Sequence, residues 1–274
     1  ENIAEVKDHL ANLIAFAIDY FRNLQKKYGK GKDRKTEIRP FDTIEATKVV
    51  VRNLKLYVNR EEGFVGTSLK KDEYVADCSD IDDIIVFTAD GKMIITKVTE
   101  KSYIGKNIVH VGVFKKNDTR TVYNLVYRNG NDKISYIKRF TVTGIIRDKE
   151  YDVVEPHKDS QVLYFSANPN GEAEVISVIL RQAGSVKKLK WDINFADILI
   201  KGRGSRGNIV TKYAIKRIEL KEKGVSTLKP RKIWYDPIVH RLNTEGRGEL
   251  LGSFKGEDRL LLISKDAIVK TVIP

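Results

Sequence analysis

From Val49 to the end of the chain, apolar residues recur at every second position in short runs of Val, Ile, Tyr and Phe, separated by turn residues. A period of two sends successive side chains to opposite faces of a strand, so the pattern predicts half-buried strands with few helices after residue 45. The runs come in pairs. Leu54–Val58 precedes Phe64–Thr67, Ile84–Phe87 precedes Met93–Val98, Val122–Tyr127 precedes Ile134–Ile137, and Val162–Phe165 precedes Ala173–Leu180. Asp90-Gly91, Asn129-Gly130 and Asn170-Gly171 stand between the members of three pairs, where residues that accept positive φ favour tight hairpin turns. Ile198–Ile200 with Ile209-Val210, and Arg259–Ile263 with Ile268–Val272, read as two further hairpins, and the Trp234-Tyr235 run with the Gly246-Arg247-Gly248 turn as a less regular unit. Hairpin starts at 54, 84, 122, 162 and 198 are 30, 38, 40 and 36 residues apart. A strand unit repeating at that interval predicts an all-β, propeller-like array of five to six blades, each needing its neighbours to bury a face.

The first 28 residues follow another period. Ile3, Val6, Leu10, Leu13, Ile14, Ala17, Phe21, Leu24 and Tyr28 recur at three- and four-residue steps, which predicts one helix with a face buried against a partner. Gly29 and Gly31 end it, and a basic run from Lys30 to Lys35 leads to Pro40. The expected organisation is residues 1–45 as helix and basic linker, then residues 46–274 as the β domain. Glu1 is not an expected native start, so the chain reads as a piece of a longer protein.

The formal net charge is +13 over 274 residues, and its distribution is uneven. Arg181–Lys232 holds fifteen Lys/Arg against four Asp/Glu, a balance of +11, whereas Asp72–Asp90 is acidic. A surface polarised in this way favours a polyanion on one side. Within the basic stretch lies a loop of glycines, polar residues and cations: Lys201, Gly202, Arg203, Gly204, Ser205, Arg206, Gly207 and Asn208. Glycines let backbone approach a surface closely, and the cations select a negatively charged one. Lys201, Arg203, Arg206, Lys212, Lys216 and Arg217 are therefore the expected phosphate contacts, with the backbone N–H groups of Gly204 and Gly207 as neutral donors. Lys187, Lys188 and Lys190 read either as further contacts or as a plain basic loop beside Trp191.

Other chemistry is poorly supported. One cysteine, Cys78, excludes an internal disulfide and is too few for a zinc site of its own. His9, His110, His157 and His240 form no catalytic set, and no HExxH, CxxC or Walker pattern occurs. Asp80, Asp82 and Asp83 lack the glycine turn and downstream glutamate of a calcium loop, and read as a solvated strand edge. No metal ligand set is expected. No apolar run spans a membrane and no signal-peptide pattern opens the chain, so a cytoplasmic setting with no membrane partner is expected.

Three features together resemble a known family. Lys27-Tyr28-Gly29-Lys30 followed by Arg34-Lys35-Thr36-Glu37-Ile38 is similar to the end of the long coiled coil in the A subunit of bacterial type IIA DNA topoisomerases. Asp83–Thr88, Asp90-Gly91-Lys92 and Gly105–Val109 resemble one blade unit of that subunit's C-terminal domain. Lys201–Gly207 resembles the gyrase box, Gln-Arg-Arg-Gly-Gly-Arg-Gly: Arg203, Gly204, Arg206 and Gly207 fit, while Lys201, Gly202 and Ser205 depart from it. The resemblance implies a β-pinwheel, preceded by the end of a coiled-coil helix, that binds and bends duplex DNA on its outer rim to assist strand passage. The degenerate box and its late position favour the topoisomerase IV A subunit over the wrapping domain of the DNA gyrase A subunit.

The family also implies ATP and Mg2+ as the parent's cofactors, a bacterial, nucleoid-associated location, and a parent heterotetramer joining the B subunit to a second A subunit. The family's catalytic tyrosine lies in an Arg-Tyr-Thr context that does not occur here, so this chain alone is not expected to cleave DNA. The rival reading is a non-enzymatic propeller scaffold whose basic edge binds an acidic protein.

Overall fold

The computed structural model describes residues 2–31, 53–144, 146–182, 184, 186–256, 258–264 and 266–272. Two compact units result, Glu1–Val49 and Val50–Pro274. The expected boundary between residues 45 and 46, the Arg34–Ile38 motif and Pro40 lie outside the described residues.

The first unit contains two helices where the periodicity predicts one: α1 (Asn2–Ala11) and α2 (Leu13–Tyr28). Asn12 between them leaves helical geometry, with φ −118° and ψ 40°. Its side-chain amide instead donates to the Asp8 carboxylate at 3.2 Å, the local competition that makes asparagine a weak helix former. No helical residue is buried, and the apolar stripe that includes Leu13, Ile14 and Phe21 is exposed. The burial expected for that face is thus not found within the described chain.

The second unit is a β-pinwheel built from one repeated rule. Each blade starts from a hairpin: β1 (Leu54–Asn59) with β2 (Phe64–Gly66), β4 (Asp83–Thr88) with β5 (Lys92–Lys97), β8 (Val122–Arg128) with β9 (Ser135–Thr141), and β12 (Val175–Leu180) with β13 (Lys190–Asn194). The next strand in sequence pairs with the hairpin's first strand: β3 (Glu73–Cys78) with β1, β7 (Ile108–Phe114) with β4, β11 (Gln161–Asn168) with β8, and β16 (Ile215–Glu222) with β12. A strand arriving after the following hairpin then reaches back to cover the second strand. β6 (Ser102-Tyr103) covers β2, β10 (Glu150–Asp152) covers β5, and β14 (Ile200–Gly202) and β15 (Asn208–Thr211) cover β9. Blades 1 to 3 are therefore each completed by chain that belongs to the next repeat.

Blades 5 and 6 are thinner. β17 (Arg231–Asp236) pairs with β18 (Arg241–Asn243) and β19 (Glu249–Phe254), while among the described residues β20 (Leu260–Ile263) pairs only with β21 (Val269–Val272). Only five residues separate β18 from β19, against twenty between β13 and β16, too few to send a strand back to β13.

Packing follows the strand period. On β4, Ile84 and Val86 face a core shared with blade 1, and Ile85 and Phe87 face one shared with blade 3. On β8, Leu125 and Tyr127 join the second core, and Val126 joins a third formed with Ile176, Val178 and Phe195 of blade 4. Both faces of these strands are covered, which explains their nearly continuous apolar sequences.

The rule corrects two predicted hairpins. Val162–Phe165 belongs to β11 and pairs with β8, so Asn170-Gly171 joins two blades rather than closing a hairpin. Ile198–Ile200 and Ile209-Val210 do not pair with each other; β14 runs parallel and β15 antiparallel along the same edge of β9. Hairpins start at 54, 83, 122, 175, 231 and 260. The predicted 162 and 198 starts are the pairing and covering strands of blade 3.

Candidate nucleic-acid interface

The glycine-rich loop sits on the edge of blade 3 and is held there by buried groups. Lys201 lies on β14 beside Phe140, and Asn208 begins β15 beside Ile137, so residues 203–207 turn over the middle of β9. Lys138, only 2% exposed, donates its ammonium to the carbonyls of Arg203 at 2.6 Å and Ser205 at 2.9 Å. The Tyr127 hydroxyl donates to the Arg206 carbonyl at 2.8 Å. Gly207 has φ +92°, and a Cβ there would stand 2.5 Å from the Ile137 carbonyl oxygen, so glycine is required for this close approach. Gly204 has open space around its Cα.

The loop cations differ in their surroundings. Lys201 is exposed. The Arg203 guanidinium lies 4.5 Å from the centroid of the Tyr151 ring and donates to the Gly144 carbonyl at 3.4 Å. Stacking of this kind leaves the charge uncompensated and the guanidinium edge available. Arg206 is engaged by carboxylates. It pairs through Nη2 with Asp132 and through Nε with Glu155 at 3.3 Å, and its guanidinium lies 4.7 Å from the Tyr136 ring centroid.

A second basic group lies at one end of blade 4. Lys187 and Lys188 are exposed in the loop between β12 and β13. Lys190 and Arg217 flank Ile179 in one cross-strand row, and Lys216 lies exposed beside the bulge in β16. The backbone N–H of Arg181 donates to the Ala214 carbonyl at 2.9 Å, which brings the segment containing exposed Lys212 to the same end. Only three residues, 212–214, carry the chain from β15 on blade 3 to β16 on blade 4. Arg217 pairs with Glu219 at 2.7 Å, whereas Lys187, Lys188, Lys190, Lys201, Lys212 and Lys216 form no salt bridge among the described residues, although Lys190 lies near enough to Asp192 to help hold its carboxyl below the usual range. Exposed lysines without partners can exchange water and counterions for phosphate at little desolvation cost.

Sequence reasoning missed the supports of the loop. Lys138 and Arg139 stand side by side in the otherwise apolar run of β9, and that interruption was the available signal. Arg139 is 1% exposed and joins blade 3 to blade 4. It donates to Asn124 Oδ1 at 3.1 Å, Thr227 Oγ1 at 3.1 Å and the carbonyls of Gly171 at 3.0 Å and Phe195 at 3.3 Å. Asn124 passes the network on to buried Glu174 at 3.0 Å.

The histidines have local roles. His110 packs between Phe87, Tyr123 and Phe165, and burial pushes it down to about 4, with Arg60 adding to the effect. His157 accepts a turn hydrogen bond from the Asp159 N–H, His240 contacts the Tyr235 hydroxyl, and His9 stacks on Phe16. Asp82 accepts from the Ser79 N–H, and Asp83 pairs with Arg147 at 2.9 Å. No described helix is long and apolar enough to cross a membrane.

The chain is similar to several known proteins. A family model for the topoisomerase C-terminal domain of Bacteroidota matches residues 55–223, which is blades 1 to 4. The A subunit of DNA topoisomerase 4 from Borreliella burgdorferi is 27% identical over 222 residues, 81% of this chain and 34% of its own length. The chain thus spans about a third of that curated relative. Among solved structures, the crystal structure of the C-terminal domain of DNA topoisomerase IV is similar at a TM-score of 0.44 and 12% identity, over 80% of this chain and 83% of that one.

Proposed function

The chain belongs to the topoisomerase C-terminal domain family of Bacteroidota, and from that premise we propose that it is the DNA-holding domain of a topoisomerase IV-type A subunit. The feature that carries the proposal is the placement of two basic groups on adjoining blades, 3 and 4, which residues 212–214 link directly. Lys201 and stacked Arg203 lie on blade 3, Lys187, Lys188, Lys212 and Lys216 lie exposed at one end of blade 4, and Lys190 beside Asp192 adds to them. Phosphates binding there release condensed counterions, which makes affinity largely independent of sequence and steeply dependent on salt. The exposed backbone at Gly204 adds a neutral donor without a side chain in the way.

In this reading the domain presents a duplex to catalytic parts outside the chain, and contacts spread over two blades offset the cost of bending it, on the order of a few kcal/mol. The B subunit, together with a second copy of the A subunit, completes the parent enzyme, which works on the bacterial chromosome in the cytoplasm. ATP and Mg2+ belong to that parent. Pairing of Arg206 and Arg217 with carboxylates lowers the charge available to DNA, which fits holding and selecting a segment better than extensive wrapping.

Replacing Lys187, Lys188 and Lys190 together with Gln tests the assignment. Binding to a mixed-sequence duplex is expected to weaken, and the slope of log K against log salt to shrink by about three. An unchanged affinity moves the site off blade 4.

A further inference from the structure

Asp132 and Glu155 come from two different turns, yet both meet the same guanidinium on the glycine-rich loop. Each carboxylate is oriented by other groups. Asp132 accepts from the Tyr136 hydroxyl at 2.7 Å and the Ile134 N–H at 2.9 Å, and Glu155 accepts from the Asn129 amide at 2.7 Å. Burial opposes the Asp132 charge, but the Tyr136 hydroxyl, the Ile134 N–H and Arg206 together hold its carboxyl below the usual carboxylate range. The Arg206 side chain is therefore received by a preformed acidic seat, and its backbone is fixed from the other side by Tyr127.

We propose that Asp132 and Glu155 form an autoinhibitory charge clamp on the glycine-rich loop, withholding Arg206 from phosphate until a polyanion displaces the carboxylates. The inference rests on the DNA-holding reading above and deepens it by assigning regulation to the same surface. One cation set between two carboxylates contributes no net attraction at a distance. A duplex seated by the neighbouring lysines competes for Arg206 only after arrival. The clamp thus sets the loop's share of the affinity, and it explains how a box-like sequence can occur without the full charge of a box.

A double-mutant cycle on the whole chain, read by titration with a mixed-sequence duplex at low salt, tests the clamp. Glu155→Gln keeps the shape and the Asn129 contact, and is expected to tighten binding about threefold or more while steepening the salt slope by about one. In an Arg206→Ala background the same change is expected to have a much smaller effect, because there is no cation left to release. Asp132→Asn repeats the test from the other turn, and thermal melting verifies folding of each variant. Glu73→Gln, which removes an equal charge from the Arg60 pair on blade 1, is expected to leave affinity unchanged. If Glu155→Gln tightens binding equally with and without Arg206, or has no effect in a chain that binds DNA, the clamp is refuted while the DNA reading stands. If the unsubstituted chain fails to bind duplex, the DNA reading and the clamp fall together.

Discussion

Lys138 shows what a single residue contributes to this surface. Its ammonium is enclosed beneath the loop, 5.0 Å from the Phe140 ring centroid, and serves two carbonyls rather than a ligand. Burial pushes it down to about 8, from an ordinary value of 10.5. Between those values the unfolded chain holds a proton that the folded chain has released, so stability rises with pH across that window. Below about pH 8 the cost of the buried charge is fully present. Relative to Lys138→Met, which cannot titrate, the native chain is expected to gain stability as pH rises from 8 to 10.5 in urea unfolding. A difference that stays constant with pH contradicts this account of the loop's support.

At the scale of elements, the blades are joined by two kinds of polar contact with different energetic weight. Arg139 sits inside the joint between blades 3 and 4, where its donors satisfy carbonyls that water cannot reach. Arg139→Met should cost about 3 kcal/mol or more, because it leaves buried acceptors and Glu174 without their cation. Asp83→Asn breaks the solvent-screened Arg147 pair and should cost far less. Chemical denaturation of the two variants checks the contrast, and equal losses would overturn it.

The same scale separates what was legible in the sequence from what was not. Hairpins with a short local turn, such as the one at Asp90-Gly91, are encoded by neighbouring residues and are read correctly. Val162–Phe165 alternates equally well, but its partner is β8, more than thirty residues earlier, and alternation carries no record of the partner. The candidate cations were legible as a charge cluster. The difference between the exposed lysines and an Arg206 held by carboxylates depends on Asp132 and Glu155, brought in by chain far away in sequence.

For the whole molecule, a balance of +11 out of a formal net charge of +13 falls between Arg181 and Lys232, on chain that runs through blades 3 and 4 to the start of blade 5. Three buried cores hold the first four blades in register, and strands covering blades 1 to 3 arrive from the following repeat. That interlocking fixes the spacing of the cations that residues 187–217 carry on blades 3 and 4. The most direct measurement is titration of the chain with mixed-sequence duplexes across a series of salt concentrations. The account predicts binding at low salt, little difference between sequences, and a slope of log K against log salt of roughly −4 to −6 from the six proposed lysine contacts. Undetectable binding at low salt, or an affinity that salt does not change, would contradict it.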